Sequence, residues 1–271
     1  MSKSIVASAR LFARRMKDRA TQAVRYLVTQ APRQIPADLR NRYTMDGRIM
    51  VRRAFRDDSF PASAPTVFSV ERIERMMAMA AREEIGSYVQ TDPHLFAAFK
   101  KYKDEIRDKE AVDFGSVTGW YSAVCLAYGA SSSVIIEYNK LVSHHPRVIP
   151  ILKSDFDRNP REFEIGTSIS SFEHDGLGRY GDPINPDGDL RAMGEAAKVI
   201  KPGGLLFLAV PVGKDAVIWN LHRVYGALRL PRLLEAWDCI DSFGFEEKDF
   251  ERDPDDAIQP VFVLRNRGQR H

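Results

Sequence analysis

The stretch AVDFGSVTG, residues 111–119, decides the fold because it combines a short apolar strand with a glycine-containing turn. The segment that follows, WYSAVCLAYGA at 120–130, has the length and apolar content of a helix. A strand that enters a helix through such a turn begins a βα unit, and glycine lets the backbone of the turn approach a ligand closely. The middle position of the turn holds Val117 rather than glycine. The stretch therefore predicts a ligand-binding turn that contains one branched side chain.

The same alternation of strand and helix continues towards the C terminus. Strands are predicted at 132–139, 147–155, 164–174 and 205–213, and a helix at 190–200. The tail from Phe243 predicts one or two further strands, arranged as a hairpin at the sheet edge. This alternation favours the α/β class, with a Rossmann-like, doubly wound and mostly parallel sheet in a three-layer αβα arrangement, preceded by an N-terminal helical segment.

The chain before the alternating region has a different texture. From Ser4 to about Thr29, apolar residues recur at helical spacing among arginines and lysines, which predicts a basic amphipathic helix. Residues 30–65 are rich in Pro, Arg and Asp without a clear period and are interpreted as a linker or irregular wrap. Two more helices are predicted, at 69–89 and 92–106. These features divide the chain into a basic helical extension with its linker (1–60), a helical lead-in (61–107) and the α/β domain (108–271).

The charge of the chain is unevenly distributed. Residues 1–60 carry 14 Lys/Arg and 5 Asp/Glu, whereas the whole chain of 271 residues has 40 and 37. The remainder is net acidic, so a uniformly basic domain is disfavoured and no specific nucleic acid is expected as a partner. The basic helix is typical of a mitochondrial targeting segment or of a helix on an anionic membrane surface, and it would also serve to dock a protein partner. The alternative is a helix that packs on its own domain with a solvated basic face.

Cysteine content and hydropathy limit the cellular compartments and the kinds of site that are expected for the chain. Cys125 and Cys239 lie in apolar surroundings without a CxxC partner or a histidine cluster, which disfavours a zinc site or a disulfide framework. The Asp-rich loop near Asp187 does not fit a calcium loop, because Pro183 would occupy the first ligand position, so no metal is expected. No apolar run reaches about 18 residues, so no transmembrane span is expected. A cytoplasmic location fits best, with a mitochondrial or peripheral-membrane location as the alternative.

Glycine and acidic residues follow the predicted strands at the edge where the carboxyl ends of parallel strands meet, which is where open α/β sheets bind ligands. They are Asp113, Gly115 and Gly119 after the first strand, Glu137 after the second, Asp155 after the third, and Glu173 and His174 after the fourth. An acid about 20 residues beyond such a turn accepts hydrogen bonds from ribose hydroxyls, and Glu137 lies 24 residues after Asp113. The pattern predicts a cofactor site. A dehydrogenase is disfavoured because GSVTG, residues 115–119, does not provide its GxGxxG fingerprint.

The ordered motifs of the domain resemble those of class I S-adenosylmethionine-dependent methyltransferases. The motifs are AVDFGSVTG (111–119), VIIEYN (134–139), ILKSD (151–155), SSFEH (170–174) and AAKVIKPGGLLFLAVP (196–211). More narrowly, residues 170–190, which begin SSFEHDGLGRYGD, and residues 220–237 are similar to a methyltransferase-like family catalogued as a domain of unknown function. The resemblance covers about residues 108–250.

The resemblance implies S-adenosylmethionine as the cofactor and assigns roles to individual residues. The methionine part would be gripped by Asp113, Gly115, Ser116 and Gly119, the ribose by Glu137, and the adenine amino group by Asp155, with Tyr138 and Glu173 in the same pocket. Two positions depart from the superfamily pattern. Val117 would crowd the place where the cofactor runs, and Glu164 stands where the fourth strand usually opens with Asp.

Methyl transfer needs a positioned nucleophile and often a base that takes its proton. His174 is the best-placed base because imidazole titrates near neutral pH, and Tyr180 and His222 are the other catalytic candidates. The alternative for His174 is a structural place in the pocket wall. The long polar loop at 175–189 is interpreted either as a substrate lid or as a surface turn.

A basic and aromatic cluster follows the strand predicted at 205–213. Arg223 and Tyr225 of this cluster, together with Arg179 of the loop, are candidates for clamping a carboxylate or phosphate of the substrate. Alternatively, the cluster, which also contains His222 and Arg229, pins its loop to the acidic tail through ion pairs.

Three functions remain open at this point. The first is transfer of a methyl group from S-adenosylmethionine to a small-molecule acceptor. The second is a catalytically inactive methyltransferase-fold scaffold or assembly protein that has lost cofactor binding, which Val117 favours. The third is a glycan-pathway or lipid-surface enzyme, which rests on the amphipathic helix and the basic and aromatic cluster.

Overall fold

The fold is that of a computed structural model in which residues 31–59 and 64–268 are described, and the basic helix expected at 4–29 lies outside them. The helices are α1 Arg40–Tyr43, α2 Val70–Ala81, α3 Asp92–Lys101, α4 Lys103–Ile106, α5 Trp120–Ala127, α6 Lys153–Arg158, α7 Gly188–Val199 and α8 Leu230–Leu233. The strands are β1 Met50–Arg53, β2 Thr66–Phe68, β3 Glu110–Phe114, β4 Ser132–Glu137, β5 Leu141–Ser143, β6 Val148–Leu152, β7 Phe163–Ile169, β8 Ile200–Ala209, β9 Ala216–Trp219, β10 His222–Val224, β11 Trp237–Phe243 and β12 Val261–Asn266.

The centre of the fold is a seven-stranded sheet in the order β11-β12-β8-β7-β3-β4-β6. Strands β3, β4, β6, β7 and β8 pair in parallel, whereas β12 is antiparallel to both β8 and β11. The chain leaves the central strand β3 towards β4 and β6 on one side, and then returns to build β7 and β8 on the other. The predicted Rossmann-like, mostly parallel sheet is therefore confirmed. The reversal between β3 and β7 is the topological switch point, where sheets of this kind bind ligands.

Hydrophobic cores lie on both faces of the sheet. Successive residues of β8 point to opposite sides, so Leu206 and Leu208 pack with Leu233 of α8, whereas Phe207 packs against Phe99 of α3. Each such side chain contributes about 1.5–3 kcal/mol when it is fully buried. Helices α2, α3 and α5 cover one face and helices α7 and α8 the other, which gives the predicted three layers.

The two helices predicted before the domain are present as α2 and α3. Helix α2 begins after Ser69, whose hydroxyl accepts a hydrogen bond from Arg72 N at 3.2 Å. It ends at Ala81, earlier than predicted, and Glu83 then adopts a left-handed conformation with φ of +58°. None of the helices in the described ranges is long and apolar enough to cross a membrane.

Residues 30–65, interpreted as a linker or irregular wrap, contain helix α1 and strand β1 in the part that is described, and the rest of that part is irregular. Strand β1 pairs in parallel with β9, and β9 pairs with β10, which makes a second, three-stranded sheet. Tyr43 and Trp219 meet edge to face at 5.2 Å in the small core beneath this sheet, which also holds Ile49 and Leu177. The elements here have four residues each, too few to show a hydrophobic period.

The C-terminal strands are antiparallel at the sheet edge, as predicted, but the first of them begins earlier. Strand β11 starts at Trp237 rather than after Phe243, and residues 244–260 separate it from β12. Trp237 is buried, and the exposed residues that follow it disguise the strand in the sequence. Cys125 is buried, Cys239 is exposed, and neither forms a disulfide.

Candidate functional site

The turn between β3 and α5 lies at the switch point of the sheet. Gly115 and Gly119 adopt left-handed conformations, with φ of +77° and +78°, that favour glycine. A Cβ atom on Gly115 would collide with Ser171 Oγ, so this turn lies directly against the turn that follows β7. Ser116 is buried, whereas Val117 is 50% exposed. Val117 thus lies at the surface of the turn, and its crowding of a cofactor stays a prediction.

Asp113 lies beneath this turn and does not face solvent. Its fully buried carboxyl group accepts hydrogen bonds from Ser122 Oγ at 3.0 Å and Thr167 Oγ1 at 3.2 Å. Ser133 Oγ in turn donates to Ser122 Oγ at 2.9 Å. Burial raises the pKa of Asp113 to about 7, although these hydrogen bonds act to lower it. The group joins β3, α5 and β7 and so fixes the strand from which the turn departs.

Glu137 ends β4 beside the turn, because Gly115 N donates to Ile136 O at 3.0 Å. Its Oε1 atom accepts hydrogen bonds from the backbone N and the Nδ2 of Asn139, at 3.1 and 3.0 Å. Within 31–59 and 64–268, no group donates a hydrogen bond to its Oε2 atom. The next residue, Tyr138, is 65% exposed. The end of β4 therefore offers one carboxylate oxygen and one aromatic ring to a ligand.

Asp155 follows β6, as predicted, in the first turn of α6. Its carboxylate is half exposed and forms an ion pair with Arg158 on the same helix. This ion pair uses Oδ1 of Asp155, and the role that the resemblance assigns to Asp155 stays a prediction.

Glu173 and His174 lie in a single 3₁₀ turn, Phe172–His174, at the carboxyl end of β7. Glu173 is completely buried, and its Oε1 atom accepts a hydrogen bond from Ser170 Oγ at 2.7 Å. The His174 side chain is 13% exposed, and its Nδ1 atom lies 2.7 Å from Leu221 O. Its Nε2 atom lies 3.7 Å from Glu173 Oε1. Burial lowers the pKa of His174 to about 4 and raises that of Glu173 to about 7.

Two more predicted catalytic residues surround His174. The ring of Tyr180 lies 5.5 Å from the imidazole and that of His222 lies 6.3 Å away, both edge to face. Burial, together with the nearby His174 and Arg179, lowers the pKa of His222 to about 4. The Arg179 guanidinium stacks 4.7 Å from the centre of the Tyr180 ring, and its Nε donates to Asp58 Oδ2 at 2.9 Å. The structure thus brings His174, Tyr180, His222 and Arg179 together.

The loop at 175–189 is fastened along its length. Asp182 Oδ2 accepts hydrogen bonds from the backbone N–H groups of Gly176 and Gly178, at 2.7 and 3.0 Å. Arg223 is completely buried and donates to the carbonyl oxygens of Asp175 and Pro186, at 2.6 and 3.2 Å. These hydrogen bonds hold both ends of the loop on β10. Arg223 therefore contacts loop backbone, and its proposed part in substrate binding stays a prediction.

The expectation that the basic and aromatic cluster pins its loop to the acidic tail is wrong. Arg223, Tyr225 and Arg229 of the cluster converge on Asp189, the second residue of α7. Tyr225 OH donates to Asp189 Oδ2 at 2.9 Å, and Arg229 donates to both carboxylate oxygens. The tail instead uses Asp253 to bind Arg52 of β1. Sequence reasoning did not connect Asp189 with these residues, because most of α7 and the strands β8 and β9 separate them in the chain.

Within the described part of the chain, no group of three or more His, Cys, Asp or Glu side chains is arranged to hold a metal ion. Sequence reasoning also missed Asp58, which anchors Arg179 from the N-terminal segment. No sequence signal connects these two residues, because they are far apart in the chain and meet only through the second sheet.

The family described as "Caenorhabditis protein of unknown function, DUF268" matches residues 108–255. This range begins at the predicted start of the α/β domain and includes the β3–α5 turn, Glu137 and the loop at 175–189. No curated protein matches the chain.

Solved structures with a similar fold include three enzymes. Burkholderia thailandensis 1,6-didemethyltoxoflavin-N1-methyltransferase, solved with S-adenosylhomocysteine, is 16% identical over 63% of this chain and 78% of its own, with a TM-score of 0.44. The [4+2]-cyclase SpnF is 14% identical over 76% of this chain and 98% of its own, also with a TM-score of 0.44. The ribosomal protein L11 methylase from Lactobacillus delbrueckii subsp. bulgaricus is 8% identical over 67% of this chain and 80% of its own, with a TM-score of 0.41. At these identities and scores, the function has to be argued from the chain's own residues.

Proposed function

The chain belongs to the family described as Caenorhabditis protein of unknown function, DUF268, and from that premise we propose that it transfers a methyl group from S-adenosylmethionine to a small molecule. The observation that carries the proposal is the end of β4. There, Asn139 holds one oxygen of Glu137, and the other oxygen accepts no hydrogen bond from the described residues. This carboxylate adjoins a glycine turn at the switch point, which is the position where a ribose-binding acid is needed.

The residues at this edge fit the cofactor that the motifs imply. Gly115 and Gly119 keep the turn free of side chains on the backbone that would approach the methionine part, and Ser116 lies between them. Glu137 Oε2 would accept hydrogen bonds from the ribose hydroxyls. The exposed ring of Tyr138 offers a flat apolar surface for the adenine. When bound, the cofactor supplies an electrophilic methyl group on a sulfonium centre.

Asp113 contributes to this site by positioning rather than by contact. Its carboxyl group is 0% exposed and is held by hydroxyl groups of α5 and β7. Through these hydrogen bonds it fixes the end of β3, from which the turn departs. We expect it to set the orientation of the Gly115 and Ser116 backbone without touching the ligand.

Calorimetric titration of the purified chain with S-adenosylmethionine and with S-adenosylhomocysteine tests the proposal. Glu137→Gln is the informative variant, because the amide oxygen must keep facing Asn139 and an NH₂ donor then replaces the acceptor offered to ribose. Loss of charge-assisted hydrogen bonds worth about 1.5–3 kcal/mol each predicts an affinity at least about tenfold weaker. Glu235→Gln, an exposed glutamate before β11, is the matched control and should bind like the wild type.

The Val117→Gly variant separates this function from that of a cofactor-free scaffold. The half-exposed Val117 is the one feature that favours the scaffold. Tighter cofactor binding by the glycine variant would show that the site is intact and only narrowed by a side chain. An absence of binding heat in the wild type and in Val117→Gly alike would overturn the proposed function in favour of the scaffold.

A further inference from the structure

Glu173 and His174 form a pair of buried ionisable groups that the cofactor site does not use. We propose that the pair accepts a proton from the methyl acceptor, so that the substrate class is a small, flat molecule whose attacking atom carries an O–H or N–H. The inference rests on the proposed function and extends it from the cofactor to the acceptor. It is carried by the position, hydrogen bonds and burial of the two side chains.

The hydrogen bond of His174 fixes which ring nitrogen can accept a proton. A backbone carbonyl oxygen only accepts hydrogen bonds, so the contact of 2.7 Å between Nδ1 and Leu221 O places the ring proton on Nδ1. The lone pair of a neutral His174 is therefore on Nε2. Arg179 Nη1 also donates to Leu221 O, at 3.5 Å, which holds the carbonyl from a second side.

Glu173 lies near Nε2 of the imidazole, and one of its two carboxyl oxygens has no hydrogen-bond partner among the described residues. Its Oε1 atom, 3.7 Å from Nε2, accepts the Ser170 hydroxyl, whereas its Oε2 atom is buried without a hydrogen-bond partner among the described residues. Leaving a buried carboxyl oxygen unpaired costs about 1–3 kcal/mol or more. A shift of about 1 Å would bring Nε2 within hydrogen-bond range of Glu173 Oε1, and catalytic hydrogen bonds are often long before the substrate binds.

Burial and the surrounding charges set the pKa values of Glu173 and His174, and so decide which of them can take up a proton near neutral pH. Arg179 and Arg223 lower the pKa of Glu173, but burial dominates and raises it to about 7. Burial lowers the pKa of His174 to about 4, and the charged neighbours Arg179, Asp182 and Arg223 act on it less strongly. The aromatic rings of His222 and Tyr180 also lie next to the imidazole. At pH 7 His174 is thus neutral, while Glu173 is divided between carboxyl and carboxylate.

In this arrangement the proton of the methyl acceptor ends on the Glu173 carboxylate and not on His174. The X–H bond of the acceptor and the methyl–sulfur bond break, X uses its electron pair to bond the methyl carbon, and sulfur retains the pair of its broken bond. The proton passes to His174 Nε2 and from there to the Glu173 carboxylate, so His174 is the catalytic residue and Glu173 its positioning and proton-receiving partner. An acceptor without a proton to lose, such as a thioether, would have no use for this pair.

The partly exposed side of the cluster favours a flat acceptor. Tyr180 is 43% exposed, and its ring and that of His222 lie nearly perpendicular to the imidazole, so ring edges and faces border this side of the cluster. Aromatic rings meet such edges favourably at centroid distances of about 4.5–7 Å. Phenol and anisole therefore make a matched pair of probes, because they share the ring and differ in the O–H that the pair would engage.

The test is a pH titration of the ¹⁵N-labelled, cofactor-free chain in which the imidazole nitrogens of His174 are followed by NMR. We expect the Nδ1–H form at neutral pH, a change in the Nε2 shift with a midpoint near 7 as Glu173 ionises, and protonation of the ring only near pH 4. Glu173→Gln should abolish the step near 7. Glu164→Gln, at a partly exposed glutamate of β7 that pairs with Lys201, should leave it in place. Phenol added at pH 7 should shift Nε2, whereas anisole should not.

Several outcomes would overturn the inference. They are a single ordinary titration of His174 near pH 6.5, a step near 7 that persists in Glu173→Gln, and equal shifts with phenol and anisole. Should Glu173→Gln fail to fold, the δ-carbon resonance of Glu173 in the ¹³C-labelled wild type gives the same answer, because it must titrate near 7 if the pair exists. These measurements need no cofactor. A failed calorimetric titration would therefore count against the proposed function, but it would not bear on whether Glu173 and His174 form a pair.

Discussion

Arg229 and Asp189 form a two-point ion pair that is buried from solvent. Arg229 Nη2 lies 2.5 Å from Asp189 Oδ1 and Arg229 Nε lies 2.9 Å from Oδ2, with the side chains 2% and 0% exposed. Arg223 Nε lies 3.6 Å from the same carboxylate. One carboxylate therefore faces two buried guanidinium groups. The start of α7 is joined in this way to the segment that carries the basic and aromatic cluster.

Removing the charge of Asp189 should destabilise the fold strongly. Asp189→Asn leaves Arg223 and Arg229 buried without a counter-charge, and breaking one side of a buried ion pair costs about 3–5 kcal/mol. We expect a loss of this size in the free energy of unfolding, measured by urea denaturation followed by tryptophan fluorescence.

The neighbouring exposed pair provides the control. Arg42 and Asp187 are 2.7 Å apart, but their side chains are 58% and 43% exposed. Asp187→Asn should therefore cost no more than about 1 kcal/mol. Equal losses for the two Asp→Asn variants would contradict the role assigned to burial.

Asp113 should make the protein less stable as the pH rises from about 4 to about 7. Its pKa in the folded state is raised to about 7 by burial, so between its unfolded and folded pKa values the folded state binds more protons. The stability that it contributes is complete below the unfolded pKa and is lost as the pH rises through the folded pKa. Each unit of pKa difference corresponds to about 1.4 kcal/mol, which makes the total a few kcal/mol at most.

Asp113→Asn should flatten this part of the pH profile. The amide is neutral at every pH and keeps an oxygen for Ser122 or Thr167. Urea unfolding at pH 5, 6, 7 and 8 should show a shallower decline for the variant than for the wild type. Some decline should remain, because burial also raises the pKa of Glu173 to about 7 and that of Asp175 to about 8. Identical slopes would show that Asp113 is not protonated in the folded state near neutral pH.

The sequence was sufficient for the parallel strands of the sheet because they are short apolar runs between clear turns. The polar residues expected at their carboxyl ends are there, and Gly115, Glu137, Glu173 and His174 lie at or just beyond the ends of β3, β4 and β7. That agreement depends on local patterns alone. A residue's place at the end of a strand is set by its neighbours in the chain.

The partners of those residues could not be predicted in the same way. His174 is held by the carbonyl of Leu221, and Arg179 is held by Asp58, across long stretches of chain. Every residue has a backbone carbonyl, so the residue type at position 221 does not show that its carbonyl binds His174. Asp58 lies in a segment whose apolar residues have no regular period. The second sheet, which brings both contacts to the site, has strands of three and four residues. Such short elements are determined by tertiary packing.

Gly115→Ala should cost more than the conformational strain of its backbone. Its φ of +77° disfavours any side chain by about 1 kcal/mol, and the added Cβ would also collide with Ser171 Oγ. Gly203 has nearly the same φ, +79°, but its added Cβ would meet nothing within 4 Å. The loss in unfolding free energy should therefore be larger for Gly115→Ala than for Gly203→Ala by about 1 kcal/mol or more.

A second substitution identifies the collision as the cause of that difference. Ser171→Ala removes the Oγ atom and should restore part of the stability of Gly115→Ala, while doing nothing for Gly203→Ala. Additive effects of Gly115→Ala and Ser171→Ala would mean that the turns after β3 and β7 do not press on each other.

Asp58 should hold the N-terminal segment against the cluster around His174. Its carboxylate accepts from Arg179 Nε at 2.9 Å and its backbone N donates to Arg179 O at 2.8 Å. Asp58→Ala removes the first contact and weakens the second, so amide hydrogen exchange at 54–59 and 178–181 should become about tenfold faster. Strand β1 pairs with β9 through its own backbone and should stay protected. Asp38→Ala, at an exposed turn before α1, is the control and should change neither region. Faster exchange in β1 as well would show that the second sheet depends on this contact, and unchanged exchange at 178–181 would show that Asp58 does not hold the loop.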